Sequence, residues 1–358
     1  MRRSSGPVIE VESLADFDRR IMRARSLAGW HLQSVDVSQR SAELAQVPVA
    51  GALFLGCTFA EGDEESVRAR GGIVFPTIPD VPLDTYRGRL YTAGDLYDTA
   101  AYPDSLDARV YGWSQQPENT DTTLARALHD HAMDDALGEW VQGRSLVGVM
   151  GGHALARNTP AYAGAARLGQ LLGARHTVAT GGGPGAMEAA NLGAWLAGTP
   201  EADLDAALAL LGRVPDFRPD VGAWVGAAFA VRERWPAGGE SLGIPTWHYG
   251  HEPPNAFPTA IAKYFRNATR EAILLEICRS GIVFLPGAAG TVQEIFQDAC
   301  ENYYADADSV APMVLVGVDH WTRELPAWPL LQALAAEREM GEHVHLVDSL
   351  DEAAAIIG

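Results

Sequence analysis

The chain has 358 residues, 47% of them hydrophobic and 20% charged, a globular composition that excludes collagen-like and low-complexity classes. Acidic residues outnumber basic ones 46 to 27, giving a net charge of −19. A field of that sign repels nucleic-acid phosphates and anionic lipid, so neither a nucleic-acid polymer nor a membrane is expected as a partner, whereas a small anionic ligand held by a few local cations is compatible with it.

Lys263 is the lone lysine among the basic residues, the rest being arginines. Cys57, Cys278 and Cys300 are widely spaced and form no CxxC pair, which supports neither a disulfide framework nor a structural zinc site. The first twenty residues show no apolar stretch of a secretory signal, and the most apolar run, Val221 to Val231, is too short to span a bilayer. A cytoplasmic location is expected.

Residues 1–140 read as a smaller, irregular α/β module, with apolar runs at Val49–Phe54 and Gly72–Phe75 broken by turn-rich stretches, and no internal repeat is evident. A helix from about Asp121 to Gln142, capped by Asp121 or Thr122, links this module to the remainder of the chain. From residue 141 to 358 the alternation is regular. Strands are expected at Ser145–Met150, His176–Thr180, Leu242–Tyr249, Gly281–Leu285, Met313–Val318 and His343–Val347. Helices are expected at Thr159–Gly173, from Pro184 to about Leu196, and over Ala260–Leu275. Short buried strands alternating with helices predict a doubly wound, mostly parallel α/β sheet, whose ligands sit at the carboxyl ends of the strands. Three strands end there in glycine turns: Gly151-Gly152, Gly181–Gly185 and Gly287–Gly290.

The third turn, Leu285-Pro286-Gly287-Ala288-Ala289-Gly290-Thr291-Val292-Gln293-Glu294, runs from strand to helix N-terminus. Its glycines let the backbone approach a ligand, and its free N–H groups and the helix dipole favour a phosphate. Thr291 can donate a hydroxyl, and Glu294 lies one turn on; the same spacing also fits a capping box. The second turn satisfies no GxGxxG register, and the absence of a lysine after any glycine turn excludes a P-loop. If Ala260–Leu275 is helical, Lys263, Arg266 or Asn267, and Arg270 form one cationic stripe, alternatively an ordinary solvated face. His153 comes just after the first turn, at a strand's carboxyl end. His129, His131, Asp134 and Asp135 fall short of a metal site, so none is expected.

These motifs together resemble the Lonely-guy (LOG) family and its nucleotide 5′-monophosphate nucleosidase branch. Pro286–Glu294 is similar to the family's PGGxGTxxE signature, with Ala288 in place of the second glycine. Gly151-Gly152-His153, Thr180–Ala189 and Glu252-Pro253-Pro254-Asn255 look like segments of the nucleosidase branch, and the family's Arg-Lys pair best matches Arg270-Glu271. The resemblance covers about residues 144–350. It implies a Rossmann-like fold and hydrolysis of the N-glycosidic bond of nucleoside 5′-monophosphates to free base and ribose 5-phosphate. Glu294 and Arg270 would be catalytic. Gly287, Gly290 and Thr291 would bind phosphate, and Gly151, Gly152, His153, Gly182, Gly183, Gly185, Glu188 and Lys263 would complete the substrate site. No cofactor or metal is implied, and a homodimer or larger homo-oligomer is. The alternative is a non-catalytic nucleotide sensor of the same fold. Amino-acid decarboxylation is set aside, because it needs a Schiff-base lysine and Lys263 sits among arginines.

Overall fold

The structure, a computed structural model, describes residues 8–248 and 252–358. Residues 1–7 and Tyr249, the last residue of the strand expected over Leu242–Tyr249, lie outside it. Two compact units emerge. One runs up to Leu90 and takes in Gly112–Leu137; the other comprises Tyr91–Tyr111 and Gly138–Gly358.

The first unit alternates strands and short helices: β1 (Ile9–Val11), α1 (Leu14–Ile21), β2 (Trp30–Gln33), α2 (Ser41–Gln46), β3 (Leu53–Leu55), α3 (Asp63–Ala69) and β4 (Ile73–Phe75). The side chain of Ser13 accepts from the Asp16 N–H to cap α1, and Arg19 and Arg20 close its last turn, where cations complement the helix dipole. All four strands are parallel and pair in chain order, β1-β2-β3-β4. Their registers, Ile9↔Trp30, His31↔Leu53 and Leu53↔Ile73, place one strand every 20–22 residues. The expectation of no internal repeat is therefore overturned: the module is a structural repeat. Its signal is a positive-φ glycine before each of three strands, at Gly29, Gly51 and Gly71, with few side chains in common. Val11, Leu32, Phe54 and Val74 stand opposite one another and form a buried inner column.

Next in the chain come α4 (Ala93–Leu96), α5 (Leu106–Ser114) and α6 (Thr120–Trp140). Asn119, rather than Asp121 or Thr122, caps α6: its Oδ1 accepts from the Thr122 N–H at 2.9 Å while its own N–H donates to Thr122 Oγ1 at 2.9 Å.

The second unit continues with β5 (Leu146–Met150), α7 (Pro160–Gly173), β6 (Thr177–Thr180), α8 (Ala186–Trp195), α9 (Glu201–Leu211), α10 (Val221–Arg234), β7 (Ser241–Gly243) and β8 (Ala260–Ile261). It closes with α11 (Asn267–Ile277), β9 (Ile282–Phe284), α12 (Ala289–Tyr304), β10 (Met313–Val316), α13 (Ala327–Ala335), β11 (Val344–Val347) and α14 (Leu350–Ile357). The sheet order is β11-β10-β9-β5-β6-β7-β8, with parallel pairing throughout. This is a Rossmann-like α/β fold. The chain leaves the central β5 toward β6 on one side and later returns to β9 on the other. That reversal opens a crevice beyond the strands' carboxyl ends.

Three local expectations fail. The strand expected over Leu242–Tyr249 is β7, which ends at Gly243. Pro184 is not the first residue of α8; Gly185, at φ +72°, is its N-cap and Ala186 begins the helix. The single helix expected over Ala260–Leu275 is a strand followed by a helix. The backbone there pairs along β7, with the Thr259 N–H on Ser241 O and the Ala262 N–H on Gly243 O, and the helix starts only at Asn267. A short apolar run satisfies helical and buried-strand periodicity equally, so the pattern could not separate them.

Candidate active site

The three glycine turns converge in the crevice. The Gly152 N–H donates to Pro286 O at 3.2 Å, tying the turn after β5 to the turn after β9, and the Ala186 N–H donates to Gly152 O at 3.0 Å, tying it to the turn after β6. Buried amides fix the middle turn. The Asn255 N–H donates to Gly182 O at 2.8 Å and its Nδ2 to Gly183 O at 3.0 Å, while Thr180 Oγ1 donates to Asn191 Oδ1 at 2.7 Å and accepts from the Gly182 N–H at 3.0 Å. Of these anchors Thr180 and Asn255 stand in motifs quoted from the sequence; Asn191, three residues beyond Glu188, does not, and its burial and hydrogen bonds reveal it.

At the third turn, Ala288 is the N-cap of α12 and makes no side-chain cap. Thr291 lies inside the helix, so the capping-box alternative does not form. The first N–H groups of α12 have no intrahelical acceptor, and Thr291 packs over Gly287 so closely that a Cβ there would overlap Thr291 Oγ1. His320 braces the turn from outside, with Nε2 3.0 Å from Gly287 O and Nδ1 2.8 Å from Glu324.

Arg270 and Glu271 project from α11 beside the start of α12. Arg270 is buried; its Nη2 donates to Asn267 Oδ1 at 2.9 Å and stands 3.6 Å from Glu271 Oε1, while its Nε has no hydrogen-bond partner. Its Nη1 lies against Gly181, 3.3 Å from where a Cβ would stand, a tight approach that the missing side chain eases. Glu271 accepts from Asn267 Nδ2 and Gln293 Nε2, linking α11 to α12. Glu294 is half-buried next to them. Burial drives its carboxyl up to about 7, with Arg270 opposing and the Glu271 carboxylate adding to the rise. Asn267 entered the sequence reading only as an alternative member of the cationic stripe, and Gln293 was missed although it lies within the signature itself.

A cavity of about 460 Å³ opens beside the second turn, lined by His153, Gly185, Glu188, Phe217, Arg218 and Glu252 among others. Glu188 is 0% exposed and is occupied by Arg157, itself 2% exposed: Nε donates to Oε2 at 3.0 Å and Nη2 to Oε1 at 2.5 Å. Arg157 also donates to Trp224 O at 3.0 Å and stacks over the Trp224 ring at 4.4 Å. No sequence signal singles out Arg157, Phe217 or Arg218.

Lys263 is elsewhere. It comes just after β8, 1% exposed, with its ammonium paired to Asp107 and 4.9 Å from the centre of the Trp247 ring; Asp107 also accepts from Trp247 Nε1 at 2.9 Å. Burial lowers its pKa against the pull of Asp107. It shares no helical stripe with Arg270. The remaining predicted residues, Gly151, Gly152, His153, Gly182, Gly183, Gly185, Gly287, Gly290 and Thr291, lie on the three turns or their flanks. Among the described residues no cluster of His, Cys, Asp and Glu could hold a metal ion, and no helix is long and apolar enough to cross a membrane.

No family model matches the chain, and no curated protein matches it. Among solved structures it is similar to a molybdenum cofactor binding protein from the phototrophic bacterium Rippkaea orientalis, at 17% identity and TM-score 0.37 over 60% of this chain and 96% of that one. It is also similar to the molybdenum cofactor carrier protein of Chlamydomonas reinhardtii, at 17% identity and TM-score 0.36 over the same shares of the two chains.

Proposed function

We propose that the chain is a hydrolase that cleaves the N-glycosidic bond of nucleoside 5′-monophosphates, releasing free base and ribose 5-phosphate. The observation that supports this best is the pairing of two opposite needs in one crevice: a buried Arg270 with an unpartnered Nε, and a half-buried Glu294 whose carboxyl is raised to about 7. Arg270 has donors left for an anion, and the N-terminus of α12 adds more. Breaking the C1′–N bond develops positive charge on the ribose, which a nearby carboxylate stabilises. Glu294 also orients the water and takes its proton as the water oxygen bonds to C1′ and the C1′–N bond breaks; the bonding pair leaves with the base, which takes up a proton from solvent. The reading includes a homodimer or larger assembly, which light scattering at micromolar protein checks.

The test is product analysis by chromatography across AMP, GMP, CMP and UMP, with Glu294→Gln as the control. Free base and ribose 5-phosphate from the parent alone support the reading. Binding without products would make the chain a nucleotide sensor, and no binding would end both readings.

A further inference from the structure

We propose that the cavity beside the second glycine turn is the base end of this site and selects bases that carry an exocyclic amino group. This rests on the proposed hydrolase reading, in which the phosphate sits at Arg270 and α12.

The turn itself orders the two ends. Arg270 Nη1 lies against Gly181; Glu252 Oε2 is 3.6 Å from the Cβ position of Gly183; and the backbone of His153 packs on Gly185. Successive alternate residues of one turn thus face a guanidinium, a carboxylate and the mouth of the cavity. At about 460 Å³ the cavity is in the range of small-molecule sites.

Carboxylates outnumber cations in its lining, which disfavours a second phosphate. Glu188, Asp216 and Glu252 all line it, and Arg157 neutralises only Glu188. Asp216 and Glu252 therefore remain as acceptors, with Glu252 only loosely paired to His153 at 3.6 Å. Carboxylates accept from an amino group and repel a ring carbonyl. Arg218, which also lines the cavity, lies over the Phe217 ring at 5.4 Å, and Phe217 in turn packs edge-on to Trp224 at 6.2 Å. Phe217 offers a planar base a stacking surface, which is indifferent to the amino or oxo substituent. Selection comes from the carboxylates, and general affinity from the ring.

The experiment measures binding by calorimetry to the Glu294→Gln protein, in which turnover is slowed, using the pairs AMP/IMP and CMP/UMP, each differing by amino against oxo. Adenosine and inosine serve as phosphate-free probes. The amino member should bind about tenfold or more tightly, the size of one lost hydrogen bond to a charged group. Asp216→Asn with Glu252→Gln should level the pair, and Phe217→Ala should weaken both members alike; circular dichroism checks that each variant folds. Equal affinities, a preference for the oxo member, or discrimination that survives the double change would overturn the inference. Monophosphates bound through phosphate without discrimination would leave the proposed function standing alone. Discrimination among nucleosides with no gain from phosphate would leave the base end standing alone. Binding of none of the probes would overturn both.

Discussion

The two units are built from the same local piece, a short parallel strand followed by a helix, and differ in the order in which the strands pair. In the first, β1 to β4 lie in chain order. Every connection steps the same way, so no point exists where neighbouring turns diverge. In the second, the order reverses around β5. The turns after β5, β6 and β9 then face a common crevice, and the candidate site residues other than Lys263 lie on those turns, on their flanks or on the adjoining helices. Pairing order, more than composition or helix content, separates a repeat from a binding crevice.

The largest expected effect attacks the wall of that crevice. Arg157→Leu leaves the Glu188 carboxylate buried without its partner, and breaking such a pair costs about 3–5 kcal/mol of stability. Urea unfolding checks this, and the double change Arg157→Leu with Glu188→Leu should recover most of the loss. A single variant as stable as the parent would mean that the pair does not hold α8 to the cavity wall.

Next comes chemistry. Glu294→Gln should retain nucleotide binding and lower turnover by about 10²-fold or more, the cost of one charge-stabilising group. A variant with parental turnover would remove the carboxylate from the reaction.

The pH profile sharpens the same point. Burial raises the Glu294 carboxyl in the folded protein to about 7, so below that pH it holds a proton and above it the carboxylate is present. If the carboxylate is the active form, kcat/KM rises about tenfold per pH unit up to about 7 and then levels. Glu271→Gln removes a like charge and should move the limb to lower pH. A limb that stays in place in that variant belongs to another group, such as the substrate phosphate. For stability the sign is opposite: the folded state binds this proton more tightly than the unfolded chain, so the contribution of Glu294 weakens as pH rises from the ordinary carboxylate range through about 7.

The sequence discloses a determinant where that determinant is local. The glycine turns and the Pro286–Glu294 signature are contiguous, and the strand-helix alternation after residue 144 has a plain period, so the crevice and its main residues were legible. Arg157 was not, because its meaning depends on Glu188 and on Trp224, far away in the chain. Lys263 misled for the same reason. A helical spacing to Arg270 exists on paper, but backbone pairing to β7 and the ion pair with Asp107 decide its position. The repeat in the first unit escaped because it is carried by backbone conformation, at Gly29, Gly51 and Gly71, with little recurrence of side chains.

One change made in both units tests the comparison directly. Gly51 has φ +79° and stands in a ladder, its N–H donating to Gly71 O at 3.1 Å and its carbonyl accepting from the Gly29 N–H at 3.0 Å. A Cβ there would meet only Ala28, at an ordinary 3.7 Å. Gly51→Ala therefore meets backbone strain without a clash, a cost of about 1–2 kcal/mol. Turnover should be unchanged, since no candidate site residue belongs to that unit. Gly287→Ala has the reverse character: its Cβ would overlap Thr291 Oγ1, displacing the turn that presents the first N–H groups of α12. It should raise KM for the nucleotide. Thermal unfolding and steady-state kinetics on both variants separate the two effects. A Gly51→Ala protein that loses turnover at temperatures where it remains folded would show that the repeat contributes to the site, and the division between scaffold and crevice would have to be abandoned.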